Sequence, residues 1–450
     1  MNGIDSRARF HQSFSPPVQL AALADLLSDD EIETICRQLG HRWRRRLFPP
    51  ASTVRSMVYR RLHPDKSILG VLADITAGDE RLQHAPADSS WCEARSRLPE
   101  ALWPQLITHS TARLQRLGGQ SYLYEGRAVY LADGSTVSMP DTPELAEVFG
   151  YADTKHGLSR FPVARISFLT HAGTEAVVDY RMDGYRTSED AQFQSMWDRL
   201  PTGSICICDR KFGSFYNLAK LRQRRVGVLC PLHQRRDPQK LIAGARKIGK
   251  DEWIVWFDLG AQLRKRYADP SLPQRLPVRL IRVRFLRNGK RKQLWLVTTM
   301  LDAKRYRRES LVDLYRRRWG IETRIGSLKT TLEINVLPSK TAQGVRCDVA
   351  ATILAHNLVW TLIHQAAEMT DTPAERISFA GAIKMALAFS GPLRQTPPEQ
   401  RAHTYARMLA NIARQTNRHR PGRIEPRLLK RQTRRYGFLK IPRAQARLLA

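Results

Sequence analysis

Four side chains in the run LYRRRWGIETRIGSLKTTLEI have types and spacing suited to phosphate chemistry: Tyr315, Arg318, Glu322 and Lys329. On an α-helix each residue advances about 100°, so these four fall within an arc of about 60°. One face would then present a carboxylate flanked by two cations and a phenol. Glu322 can hold a metal ion, and the other three can grip phosphates. A salt-bridged, solvated helix face is the alternative reading, since charged i, i+4 neighbours are common on helix surfaces.

Cleavage of a phosphodiester by two metals needs hard oxygen ligands that converge from separate elements and hold ions about 4 Å apart. Two aspartates are candidates. Asp133 is expected to end a first strand in YLADGS, and Asp209 a fourth strand in CICDRKF. Ends of adjacent strands in an open α/β sheet converge on one crevice, where sites form. Each also has a plainer reading. Asp133-Gly134 could be a turn, Asp141 competes with Asp133, and Asp209 could pair with Arg210. With Glu322 these aspartates make a triad suited to two Mg²⁺ ions, for which Mn²⁺ can substitute.

The elements that must position them follow from periodicity. From about residue 127, AVYLAD, VARISFLTH, GTEAVVDYRM, SICICD and VGVLCPL read as strands, with helices before and after SICICD. The order β-β-β-α-β-α-β matches a ribonuclease-H-like core, a mixed sheet with helices on both faces. A generic α/β domain of another topology is the alternative. Residues from about 236 to 303 read as a β-rich insertion, with a hairpin around Asn288-Gly289. The helix bearing Tyr315 is expected to begin near Arg308. After it comes a long apolar-periodic helix containing His356 and His364, both expected to pack or cap.

Residues 1 to 120 read as a helical, DNA-binding domain studded with Arg44, Arg45, Arg46, Arg60 and Arg61, on faces that could meet a DNA groove. Ordinary solvated arginines are the alternative. Residues 121–400 read as the catalytic domain and 401–450 as a basic tail. From Arg401 onward 14 Lys or Arg stand against the single Glu425, which predicts an extended arm on DNA.

The formal net charge of +32 over 450 residues, with pI near 10.6, points to a polyanionic partner. Nucleic acid fits, because neutralising phosphates releases counterions. The N-terminus carries no apolar signal core and no apolar run reaches spanning length, which predicts a cytoplasmic protein with no membrane role. The six cysteines lack a second pair at zinc spacing and read as buried thiols in a reducing compartment.

The spacing Tyr-x2-Arg-x3-Glu-x6-Lys resembles the Y-R-E-K signature of the insertion-sequence-four family of bacterial DDE transposases, and the likeness runs through most of the chain. The resemblance implies that Asp133, the Asp209-Arg210-Lys211-Phe212 element and Glu322 bind the metals, and that Tyr315, Arg318 and Lys329 grip phosphates near a transposon end. A Trp in the inserted β domain of a family member stacks on a flipped base, and Trp295 in WLVTT lies on the matching strand; a core residue of the hairpin face is the alternative reading of Trp295. Trp319, inside the signature helix, also matches a common family position. Implied partners are double-stranded DNA (terminal inverted repeats and target) and a second copy of the chain in a synaptic dimer. The implied reaction is excision through hairpin ends followed by insertion. A ribonuclease-H-like nuclease and a catalytically inactive DNA-binding derivative are the other readings.

Overall fold

The computed structural model describes residues 21–24, 26–44, 47–77, 84–118, 123–154, 157–287, 290–417 and 445, and of residues 24, 287, 290 and 319–325 the backbone alone. Its centre is a mixed sheet of five core strands: β1 (Arg127–Ser138), β2 (Gly157–His171), β3 (Val177–Gly184), β4 (Ile205–Cys208) and β5 (Gly227–Pro231). They lie in the order β3-β2-β1-β4-β5. The first three pair antiparallel, while β4 is parallel to both β1 and β5. This is the ribonuclease-H-like arrangement. All four residues of β4 are buried, as expected of an apolar run with both faces covered. Parallel neighbours need a crossover, and the helix Phe215–Gln223 provides it between β4 and β5.

The β-rich insertion continues this sheet. Its strands β6 (Glu252–Asp258), β7 (Arg275–Arg287) and β8 (Lys290–Thr298) join in the order β5-β8-β7-β6, with Leu296 opposite Pro231 at the seam. Strands β7 and β8 form the expected hairpin pairing, closing at Arg287 opposite Lys290; Asn288 and Gly289 lie outside the described residues.

The labelled helices are α1 (Pro50–Leu62), α2 (Asp88–Ser96), α3 (Leu102–Gly118), α4 (Arg308–Thr330), α5 (Ala342–Thr370), α6 (Phe379–Gln395) and α7 (Pro398–Arg414). Helix α5 is buried along most of its length, and α1, α3, α6 and α7 all pack on it. His356 is buried within it and shares a hydrogen bond of 2.9 Å with the Glu175 carbonyl; burial pulls its pKa down to about 4. This is the packed role expected of it.

Two expectations need correction. Arg60 and Arg61 do not face solvent. Their guanidinium groups turn inward to Asp348 of α5, at 3.9 and 2.9 Å, where Arg95 joins at 3.7 Å and the Ser339 hydroxyl donates at 2.6 Å. Asp348 is 1% exposed, and an isolated carboxylate could not be buried so deeply without such partners. Arg44 is exposed as expected, and Arg45 and Arg46 lie outside the described residues. The basic tail does not begin as an extended arm at Arg401 either. Residues 401–414 belong to α7, whose Met408 and Ile412 are buried against the preceding helices. The remainder of the predicted arm, apart from residue 445, lies outside the described residues.

All six cysteines are free thiols, five of them buried. Among the described residues no helix is long and apolar enough to cross a membrane.

Candidate active site

Strands β1 and β4 run parallel in register up to the pair Ala132–Cys208. The next residues are Asp133 and Asp209. Neighbouring strands lie about 4.8 Å apart, so the two residues follow one register pair, Asp133 within β1 and Asp209 just past the end of β4. Asp209 keeps an extended backbone, and its side chain does not cap the 3₁₀ turn Arg210–Phe212 that follows. Asp133 Oδ1 accepts a hydrogen bond from the Gly134 amide at 2.9 Å.

Asp133 is not at a strand end, as the sequence suggested. Strand β1 continues to Ser138, because β2 is long enough to keep pairing with it after β4 has stopped. Asp133 therefore sits mid-strand, at the point where the parallel partner ends, and Asp133-Gly134 is no turn. The competitor Asp141 lies beyond the far end of β1, where it accepts a 2.6 Å hydrogen bond from the Tyr151 hydroxyl.

The turn after Asp209 is held by its apolar and small residues. Phe212 is 1% exposed, and a Cβ on Gly213 would lie 2.9 Å from Cys230 Sγ on β5. Only glycine lets the turn press this closely against the sheet. Arg210, within the turn, is half-buried.

Helix α4 spans Arg308–Thr330 and packs over β5. Burial pushes the Tyr315 phenol up to about 12; Arg318 opposes that shift and the Asp209 charge adds to it. The signature helix thus passes over β5, the strand next to the one that Asp209 follows. The Arg318 guanidinium lies 5.3 Å from the Tyr315 ring, and both residues are largely buried. Lys329 is half-buried, about 21 Å farther along the helix axis than Tyr315 at 1.5 Å per residue. The signature face is a strip rather than a point. The backbones of Glu322 and Trp319 lie on this helix, and their side chains are outside the described residues. Among the described residues no three His, Cys, Asp or Glu side chains form a metal-binding group.

Trp295 is not a surface platform. It is 7% exposed on β8, its ring 5.7 Å from that of Trp253, and the Arg282 guanidinium covers it at 5.5 Å. The exposed aromatic nearby is Trp256, 49% exposed, with Arg275 at 5.4 Å from its ring. Truncation of a buried Trp costs about 3–5 kcal/mol, so Trp295→Ala should melt early and lose every activity in parallel. A Trp295→Ala protein with normal thermal stability and a selective catalytic defect would return this residue to the site.

Sequence reasoning passed over Glu189. It opens the short helix Glu189–Gln194, lies against Gly134 and pairs with Arg165 at 3.1 Å and Lys211 at 3.3 Å. The only local hint is an acidic residue behind the N-cap Ser188, which the helix terminus alone would explain.

The family model described as "Transposase DDE domain" matches residues 124–358, more than half of the chain. The chain belongs to the DDE transposase family. Asp133, Asp209 and Glu322 all fall inside the matched region. The transposase of insertion sequence element IS4, InsG, from Escherichia coli (strain K12) is 25% identical over 321 residues, covering 69% of each chain. The putative transposase InsZ from the same organism is 28% identical over 213 residues, 46% of this chain and 70% of its own. Both are relatives of the insertion-sequence-four type expected from the Y-R-E-K spacing. Among solved structures, a piggyBac transposase synaptic complex with hairpin DNA aligns over 93% of this chain and 88% of its own, at 11% identity and a TM-score of 0.46. Members of the DDE transposase family are enzymes that cleave DNA and transfer strands, and this chain is one of them.

Proposed function

We propose that the transposase binds the terminal repeats of its own insertion sequence, cuts them in a metal-dependent reaction through hairpin ends, and transfers them to target DNA as a pair of chains. The observation that carries this reading is the placement of Asp133 and Asp209 directly after the register pair Ala132–Cys208. Two carboxylates that directly follow one register pair of neighbouring strands are a fitting donor set for Mg²⁺, which favours carboxylates completed by water and substrate phosphate. Asp133, Asp209 and Glu322 would hold two such ions, with Mn²⁺ as substitute. The ions supply Lewis-acid stabilisation of phosphate charge and a nucleophile active at neutral pH. The chain's own residues do the positioning. Arg318, braced on Tyr315, can fix a phosphate next to the carboxylates, and Arg210 can reach one beside Asp209. Lys329 can take a phosphate farther along the duplex, so the strip on α4 sets the strand's path. Trp319 is proposed to contact DNA from the same helix.

Supercoiled plasmid carrying both ends of the element tests the reading. Paired cleavage at the ends with hairpin products is expected. Unpaired, sequence-independent nicking would point to a nuclease, and binding without cutting to a silent DNA-binding derivative.

Arg318→Ala and Lys329→Ala should reduce hairpin formation more than first-strand nicking. A charge-assisted hydrogen bond is worth about 1.5–3 kcal/mol, which is about a 10- to 100-fold loss in the affected step. The two products separate on a denaturing gel. Equal loss of both would mean that Arg318 chiefly supports the packing of Tyr315.

A further inference from the structure

Glu189 touches the surroundings of both catalytic aspartates. A Cβ on Gly134, the neighbour of Asp133, would come within 3.3 Å of Glu189 Cδ, and Lys211, two residues after Asp209, donates to Glu189 Oε2 at 3.3 Å. Arg165 of β2 donates to Glu189 Oε1 at 3.1 Å. The elements bearing Glu189 and Lys211 are locked together. Phe193 and Phe212 pack with ring centroids 4.7 Å apart, and Asn217 Nδ2 donates to Asp190 Oδ1 at 2.5 Å and to the Phe212 carbonyl at 3.1 Å.

With two cations on one carboxylate, Glu189 is neutralised and the cluster keeps a net positive charge. The two cations differ in exposure. The Arg165 side chain is 19% exposed and the Lys211 side chain 66%. Arg165 serves to neutralise Glu189, and the surplus charge is presented to solvent by Lys211 beside Asp209. An ion pair this exposed adds little to stability. It does restrict a long, four-carbon side chain whose freedom would otherwise be lost on binding a ligand.

We propose that Lys211 contacts a phosphate of the DNA strand brought to Asp133 and Asp209, and that Glu189 is the positioning residue that aims it. The inference rests on the reading of those aspartates as the cleavage centre.

The test uses full-length protein and linear DNA carrying the element's end. Lys211→Ala should slow cleavage about tenfold and lower the slope of log affinity against log salt by about one, the signature of a lost phosphate contact. Glu189→Gln should slow cleavage to a similar degree with an unchanged melting temperature. Residues acting as one unit are non-additive, so the double variant should lose about tenfold, not a hundredfold. A Glu189→Lys, Lys211→Glu swap restores an ion pair between the two positions but sets a cation against Arg165 and a carboxylate against the phosphate, and should stay impaired. Recovery of cleavage in the swap would make the pair a structural brace and overturn the proposal. An unchanged rate and salt slope in Lys211→Ala would do the same, and that exposed substitution decides the matter even if the Glu189 variants fold poorly. Failure of the wild-type protein to cut end DNA would instead overturn the reading of the aspartates, and this inference with it.

Discussion

Asp133→Ala, Asp209→Ala and Glu322→Ala should each abolish strand cleavage while leaving DNA binding near the wild-type level. On the proposed reading each removes a hard oxygen ligand from a metal centre that would supply several kcal/mol of transition-state stabilisation, a loss on the order of 10³-fold or more. The basic surfaces that drive binding are untouched by these changes. Cleavage on a gel and affinity by fluorescence anisotropy report the two properties separately. Asp141→Ala is the matched control. Asp141 is engaged by Tyr151 beyond the far end of β1, so this variant should retain cleavage. An inactive Asp141→Ala beside an active Asp133→Ala would reverse the assignment of the first ligand.

The largest effect on stability should come from Asp348→Ala. Burial raises the carboxyl's pKa, but Arg61, Arg60 and Arg95, with the Ser339 hydrogen bond, outweigh it and hold Asp348 below the ordinary carboxylate range. Removing the carboxylate takes away the anion on which three guanidinium groups converge at the join between the N-terminal helices and α5. Breaking a buried ion cluster in this way costs about 3–5 kcal/mol. Asp348→Asn keeps an acceptor for Ser339 and should lose less. The midpoint of urea denaturation measures both. A loss below about 1 kcal/mol in Asp348→Ala would mean that water reaches the arginines and that they are solvated as surface charges are.

Much of the core was legible because its strands are either alternating or continuously apolar. SICICD reads as a covered strand, and that placed Asp209 directly after β4. The strand that carries Asp133 was legible, but the setting of Asp133 was misread, because Asp-Gly carries the chemistry of a turn. Nothing local reveals that β2 goes on pairing past the end of β4. Arg60 and Arg61 looked solvent-facing because their partner Asp348 lies far along the chain, and helix periodicity carries no information about distant carboxylates. Trp295 was ambiguous for a related reason. Alternation tells which residues share a face, and only the packing of Trp253 and Arg282 tells which face is covered. Helix α7 was hidden by its arginines, which mask the spacing of Met408 and Ile412. The Glu189–Lys211–Arg165 cluster draws on three separate elements, so no single window of sequence could contain it.

On the proposed reading Asp133, Asp209 and Glu322 hold the same divalent ions. Iron-directed cleavage of the protein backbone tests it most directly. Fe²⁺ takes the place of Mg²⁺ at such oxygen ligands, and with ascorbate and peroxide it generates radicals that cut the chain next to the ion. Fragments ending near residues 133, 209 and 322 are expected, suppressed by excess Mg²⁺ and absent from Asp133→Ala and Asp209→Ala. Cuts clustered near Asp141 and Tyr151, or a cutting pattern unchanged in both variants, would contradict it.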